Sequence, residues 1–360
     1  MITTIIIFLA VLSVLVIAHE WGHYAAAKKM GMKVEEFGLG FPPRLFKWKG
    51  KDGMIWSINL IPLGGFVKIK GESGEHKDAK DSFAKKSIPA RIFVLSAGVM
   101  MNLVLAAVML SVALAIGTPT IVEDGAPKGA IVTGEAIQIL ELVEEGPADV
   151  AGIELGDKVI SVDGAAQSSA EGLRDTLGEG GTFSMEILRG EETVTLEVTS
   201  TYLEEAEAEA VGILVLDTAN VRYPVYLAPI KGVELTAYYT KEITVAFVEI
   251  IGDLITRDEI EADLAGPVGI VTITGEIAAR GIAPLLQFMA ILSMNLAVLN
   301  ILPFPALDGG RIGFALLEAV RRKPTSPEFE AIVHNLGFLV LILLIVFVTY
   351  KDIARIVVGG

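Results

Sequence analysis

Cysteine is absent from all 360 residues. That excludes disulfides, thiol catalysis and cysteine-ligated metal, while leaving an oxidising compartment open. Histidine is nearly as scarce, at four, so any histidine site draws on very few residues. Positive charge is also in short supply: 29 Lys and Arg stand against 44 Asp and Glu, a net charge of −15. Nothing in that balance resembles a basic phosphate-binding face, which argues against nucleic acid as a partner. What the chain has in excess is apolar residues, 52% of the total and gathered in long runs. A soluble chain of this length needs more charge on its surface, so the expected class is a polytopic α-helical membrane protein.

Four segments approach or exceed the roughly 20 residues that cross hydrocarbon. They are residues 1–27, 92–117, about 284–302 and 331–350. The first lacks a basic n-region and an obvious small-residue cleavage site, so it reads as a retained span and not a signal peptide. Residues 28–91 hold 14 Lys and Arg against 7 Asp and Glu, whereas residues 117–222 hold 5 against 22. Basic loops stay on the cytoplasmic side. The first loop is therefore expected in the cytoplasm, with Arg321, Arg322 and Lys323, and the acidic region outside, giving four crossings.

The acidic region carries short β-type runs, AIQILELV, KVISVDG, FSMEILR and ETVTLEVTS, interrupted by one helix around residues 170–177. The run EEAEAE at 204–209 is a solvated charge run. Residues 226–260 are amphipathic and less apolar than a span, as for a helix lying near the membrane surface.

At the end of the first apolar run stands HEWGH, His19-Glu20-Trp21-Gly22-His23. On a helix two histidines four apart share a face one turn apart, so both imidazoles can meet one zinc ion while Glu20 accepts a proton from water. Chance yields about 0.004 such matches in a chain of this composition. Ionisable groups in a span cost about 2.5–3.5 kcal/mol each on insertion scales, and two of four histidines are placed here, which favours a metal site over an accident. Zinc needs a third protein ligand. His76 lies in a polar loop, and His334 in the fourth span suits a packing or interface role. Asp308 is the stronger candidate: it follows the third span in NILPFPALDGG, where Pro303 and Pro305 prevent regular helix and Gly309 and Gly310 permit close backbone approach.

These motifs resemble the two signatures of the site-2 proteases, zinc intramembrane metalloproteases, and most closely the bacterial regulator of sigma-E protease type. The resemblance runs from about Val16 to Val320. It implies one zinc per chain held by His19, His23 and Asp308, with Glu20 catalytic. Other segments agree. IPLGGFVK, with Gly64 and Gly65, resembles the family's loop in a membrane-associated β region, here about residues 34–69 with strand-like pieces EEFGLGF, RLFKWKG and MIWSINL; an ordinary cytoplasmic hairpin is the alternative. Ser96-Ala97-Gly98 through Asn102 resembles the second-span motif, with Val99 where many members have proline. Gly266-Pro267-Val268-Gly269-Ile270 matches the family's GPVGI. AGIELGDKVISVDG looks like a PDZ domain signature, placing one inserted extracytoplasmic PDZ domain at about 130–215, either a peptide binder or a steric gate.

The implied division is a first span at 1–27, a cytoplasmic loop at 28–91, a second span at 92–117 and an extracytoplasmic region at 118–222. An amphipathic juxtamembrane helix at 223–265, a third span with the LDG segment at 266–323 and a fourth span at 324–360 complete it. The implied activity is zinc-dependent intramembrane cleavage of single-span proteins, such as anti-sigma factors or signal peptide remnants, in a bacterial inner membrane with the site near the cytoplasmic side. Gly64 and Gly65 belong to a β region that can pair with unwound substrate. Asn300 and Asn102 are candidate donors to substrate or oxyanion, with an interhelical hydrogen bond as the alternative, above all for Asn102. An inactive PDZ scaffold has no need of Glu20, and a metal transporter would line several spans with ligands; neither explains the whole set.

Overall fold

The structure is a computed structural model and describes residues 2–72, 76, 78–122, 127–143, 145–190, 192–203, 208–256, 266–323 and 325–358. Helix α1 (Ile2–Lys29) is apolar on every side, as suits a helix whose solvent is lipid. Its end is sharp. Gly31 takes a φ of 65°, and the N–H groups of Gly31 and Met32 return to the carbonyls of Lys28 and Ala27, a Schellman closure. Met32 then packs with Ala26 and Ala27 in a buried cluster.

Strands β1 (Val34–Lys49) and β2 (Ile55–Ile69) pair antiparallel as a two-stranded hairpin. EEFGLGF and RLFKWKG, expected as separate pieces, form one strand that continues through Pro42 and Pro43. The ladder shifts register between Leu39, Phe41 and Arg44 instead of ending, which accommodates two residues that cannot donate. The inner part of β1 is largely buried, but everything from Phe41 to Lys49 is exposed, including Phe46 at 66% and Trp48 at 51%. Buried Glu36 is satisfied by Arg44 and by the Ser57 hydroxyl, 2.7 Å away. Helix α2 (Ile88–Ile116) follows.

Leu114–Ala228 forms a compact unit of its own. In chain order it holds β3 (Thr118–Ile121), β4 (Ile131–Leu142), α3 (Pro147–Val150), β5 (Lys158–Val162), β6 (Ala165–Ala166), α4 (Ala170–Leu177), β7 (Thr182–Arg189), β8 (Glu192–Thr199), β9 (Thr201–Leu203), β10 (Ala208–Ala210) and β11 (Ile213–Arg222). The antiparallel sheet runs β3-β11-β4-β5-β7-β8, with β6 on β5 and a separate β9-β10 pair. Alternating residues send Ile137, Ile139, Met185 and Ile187 into a core closed by Leu173 and Leu177 of α4. The turn in AGIELGD is clamped by Arg189, whose Nε and Nη2 donate to Asp157 at 2.9 and 2.8 Å and which also reaches Glu154 and the Gly152 carbonyl. This sheet with its two short helices is the PDZ domain expected from that motif. Of the acidic run 204–209, Glu209 lies in β10, and residues 204–207 lie outside the described residues.

Helices α5 (Ala228–Thr256), α6 (Pro267–Ala279), α7 (Ile282–Ile301), α8 (Asp308–Arg321) and α9 (Pro327–Val358) complete the chain. The amphipathic helix expected over 226–260 is α5 as far as Thr256; the residues beyond lie outside the described ones. GPVGI opens α6, a separate helix. Gly266 has no side chain to cap it, and Asp352 of α9 does so instead, accepting from the N–H groups of Gly266 (3.0 Å) and Gly269 (2.9 Å). Among the described residues α1, α2, α7 and α9 are long and apolar enough to cross a membrane, and the protein is a multi-pass membrane protein.

Candidate metal centre and active site

His19 and His23 share one face of α1, as their spacing requires. Asp308 reaches them from the start of α8 through a loop whose tightness depends on small residues. A Cβ on Gly309 would strike the carbonyls of Ile301 and Leu302, and one on Gly310 that of Phe304. Ala306 holds a φ of 76°, unusual for a residue with a side chain. Its N–H donates to Nδ1 of His334 at 2.8 Å, and Gly337 lets α9 pack against Pro305. His334 thus braces the loop that carries Asp308 and stands outside the cluster of ligating atoms.

Asp308 Oδ2 lies 3.2 Å from His19 Nε2 and 3.2 Å from His23 Nε2, and the two Nε2 atoms are 3.2 Å apart. Ligands about 2.0–2.2 Å from a tetrahedral ion stand about 3.3–3.6 Å from one another, so this triangle fits one small cation. The protonation pattern fits as well. His23 Nδ1 lies 2.9 Å from the Val94 carbonyl, which can only accept, so a neutral His23 carries its proton there and turns a lone pair toward Asp308 and His19.

Glu20 is half-buried and close enough to interact electrostatically with His19, His23, Asp308 and Glu72. The β2 strand passes beside it: a Cβ on Gly65 would lie 3.2 Å from the Glu20 Cγ and 2.8 Å from Val16. Gly64, with a φ of 90°, packs under Phe41. Asn102, fully buried, places its side-chain amide 3.3 Å from His19 Nδ1. Asn300 lies near the end of α7, half-buried and with no side-chain hydrogen bond among the described residues.

Two features escape a reading of the sequence for ligands. A Cβ on Gly98 would strike His23 Nε2 and His19 Cε1, so this glycine of α2 makes room for both imidazoles. Arg311, one turn after Asp308, pairs with Glu72. Arg311 and Glu72 belong to a cavity of about 500 Å³ that also includes Arg91, Glu318, Glu330 and His334.

Residues 7–344 match the model of peptidase family M50. The chain belongs to that family. A Clostridium perfringens relative, provisionally named a zinc metalloprotease, is 36% identical over 97% of this chain and 98% of its own. Zinc metalloprotease RasP of Geobacillus kaustophilus is 31% identical over 98% of each chain. The regulator of sigma-W protease RasP of Bacillus subtilis is 28% identical over 98% of this chain and 99% of that one. Among solved structures, the PDZ domain of an SdrC-like protein from Listeria monocytogenes gives a TM-score of 0.22 at 19% identity, covering 24% of this chain and 92% of that one.

Proposed function

We propose that this zinc metallopeptidase of the site-2 type cleaves single-span membrane proteins within their membrane-embedded segments. One observation carries the reading. His19 and His23, in the first span, and Asp308, 285 residues after His23, bring three ligating atoms to one point with Glu20 alongside. His19, His23 and Asp308 hold the zinc, one ion per chain. When bound, zinc supplies a Lewis acid that brings the pKa of water toward about 7 and polarises the scissile carbonyl.

The chain's own groups do the rest. A Glu20 carboxylate oxygen takes the proton of the attacking water and returns it to the leaving nitrogen. Gly64 and Gly65 let β2 run close to Val16 and Glu20 and under Phe41, and among the described residues the hairpin has only two strands, so an unwound substrate segment can add to it as a third. That pairing replaces the helical hydrogen bonds the substrate gives up. Asn300 donates to substrate backbone near the end of α7. The basic first loop sets this site at the cytoplasmic side of a bacterial inner membrane.

The acidic balance of residues 117–222, 22 Asp and Glu against 5 Lys and Arg, assigns the PDZ domain to the extracytoplasmic side of the membrane, where it meets the substrate's outer part. Strand β3 covers β11 only along Thr218–Val221, leaving Ile213–Leu216 without a neighbour on that edge among the described residues. A cavity of about 810 Å³ lined by Leu142, Arg174, Leu177, Gly212 and Ile213 adjoins this edge. An extended segment can add there. The name of the Bacillus subtilis relative points to regulators of sigma factors as a substrate class.

The test incubates the purified protein with a single-span substrate beside Glu20→Gln. A general acid-base group contributes about 10²–10⁴-fold, and the variant should lose that much while keeping its zinc. Equal cleavage by both proteins would end the proposed mechanism.

A further inference from the structure

The two zinc-ligand histidines differ in what holds their outer nitrogens. His23 donates Nδ1–H to a main-chain carbonyl, that of Val94, 2.9 Å away. His19 presents Nε2 to the same point, 3.2 Å from Asp308 Oδ2. A neutral His19 with its lone pair on Nε2 therefore also carries a proton on Nδ1, and that proton needs an acceptor. The group facing it is the amide of Asn102, four residues along α2 from Gly98.

With the amide NH₂ turned to Nδ1, two donors face each other, and the Asn102 Oδ1 is left buried without a partner. A half-turn of the amide removes the clash: the oxygen accepts the Nδ1 proton, and amide oxygen and nitrogen exchange places at almost no steric cost. The NH₂ then occupies the oxygen's former place, where it needs an acceptor in its turn.

We propose that Asn102 is the positioning residue for His19, its Oδ1 accepting from Nδ1–H and so aiming the Nε2 lone pair at the metal. The inference rests on the metallopeptidase reading above. The same task falls to main chain at His23 and to a replaceable side chain at His19, so only one of the two can be removed by substitution. The Ser293 hydroxyl donates to the main-chain carbonyl of Asn102 at 2.9 Å and anchors this part of α2 to α7 without touching the amide.

The experiment measures zinc affinity of the full-length protein by competition with a chromogenic chelator, in a Glu20→Gln background that removes proteolysis from the readout. Asn102→Leu, matched in size but without an acceptor, should bind zinc about 10–100-fold more weakly. Asn102→Asp should bind at least as tightly as the parent, because a carboxylate also accepts from Nδ1–H, and Ser293→Ala should match the parent. Cobalt in place of zinc adds a second readout: its visible absorption should shift in Asn102→Leu and not in Ser293→Ala. Where leucine disturbs packing, Asn102→Ser, too short to reach Nδ1, repeats the comparison.

Parent-like affinity and cobalt spectrum in folded Asn102→Leu or Asn102→Ser would overturn the assignment while leaving the protease reading intact. So would an Asn102→Asp variant as weak as leucine. A parent protein that binds no zinc overturns both.

Discussion

The membrane unit and the PDZ domain place polarity in opposite ways. In the domain, apolar residues turn inward onto Ile139, Leu173, Met185 and Ile187, and the charge faces out: residues 117–222 hold 22 of the 44 acidic residues and 5 of the 29 basic ones. In the membrane unit the long helices expose their apolar residues, and His19, His23 and Asp308 come together within it. Each arrangement follows from its solvent. Water rewards a buried apolar core, whereas lipid rewards none, so the interior of a membrane protein is where a polar cluster can be held. The two-stranded hairpin belongs with the second kind: the exposed Phe46 and Trp48 suit an apolar or interfacial setting and would be a liability in water.

Substitutions that act on one unit alone sharpen this contrast. The largest effect is expected at Gly98, where any side chain meets both imidazoles. Gly98→Val should displace the ligands, lower zinc content and cut activity by about 100-fold or more, the scale of a 1 Å misplacement. Hydrogen exchange in the PDZ domain should be unchanged. Protection of β5 and β7 that falls along with the zinc would show that the units are coupled.

A smaller effect is expected at Arg189. Its loss leaves the carboxylate of Asp157, 2% exposed, without its charge partner. Breaking a buried pair costs about 3–5 kcal/mol, and because the Arg189 side chain is 32% exposed the expected loss for Arg189→Ala is about 2–3 kcal/mol. Faster hydrogen exchange across β5 and β7 checks it, with zinc content as the control that should not move.

Local patterns were legible from sequence, and long-range packing was not. HEWGH could be read because helical spacing alone puts its histidines on one face. Asp308 could be read because two prolines and two glycines mark an irregular turn where a lone carboxylate needs a purpose. The fit of Gly98 between two imidazoles belongs to the contact of two helices, and the second-span motif that contains it in the sequence does not reveal what it touches. His334 carried a signal, a histidine in a lipid-facing helix, but its partner is the main-chain N–H of Ala306, which no side-chain pattern reveals. In β1 the Pro42-Pro43 pair reads as a break, because a proline without a donor ends a ladder unless the register can shift. Strand β11 was missed because it follows an acidic run and owes its place to pairing with β4, whose Leu142 is 71 residues before Ile213.

The decisive measurement is zinc per chain in the purified wild-type protein, in Asp308→Ala and in Glu20→Gln. If residues from the two ends of the chain share one ion, the wild type and Glu20→Gln should each hold one zinc, and Asp308→Ala should lose most of it under a competing chelator. Full retention by Asp308→Ala would contradict the site, and so would a Glu20→Gln variant that has lost its metal.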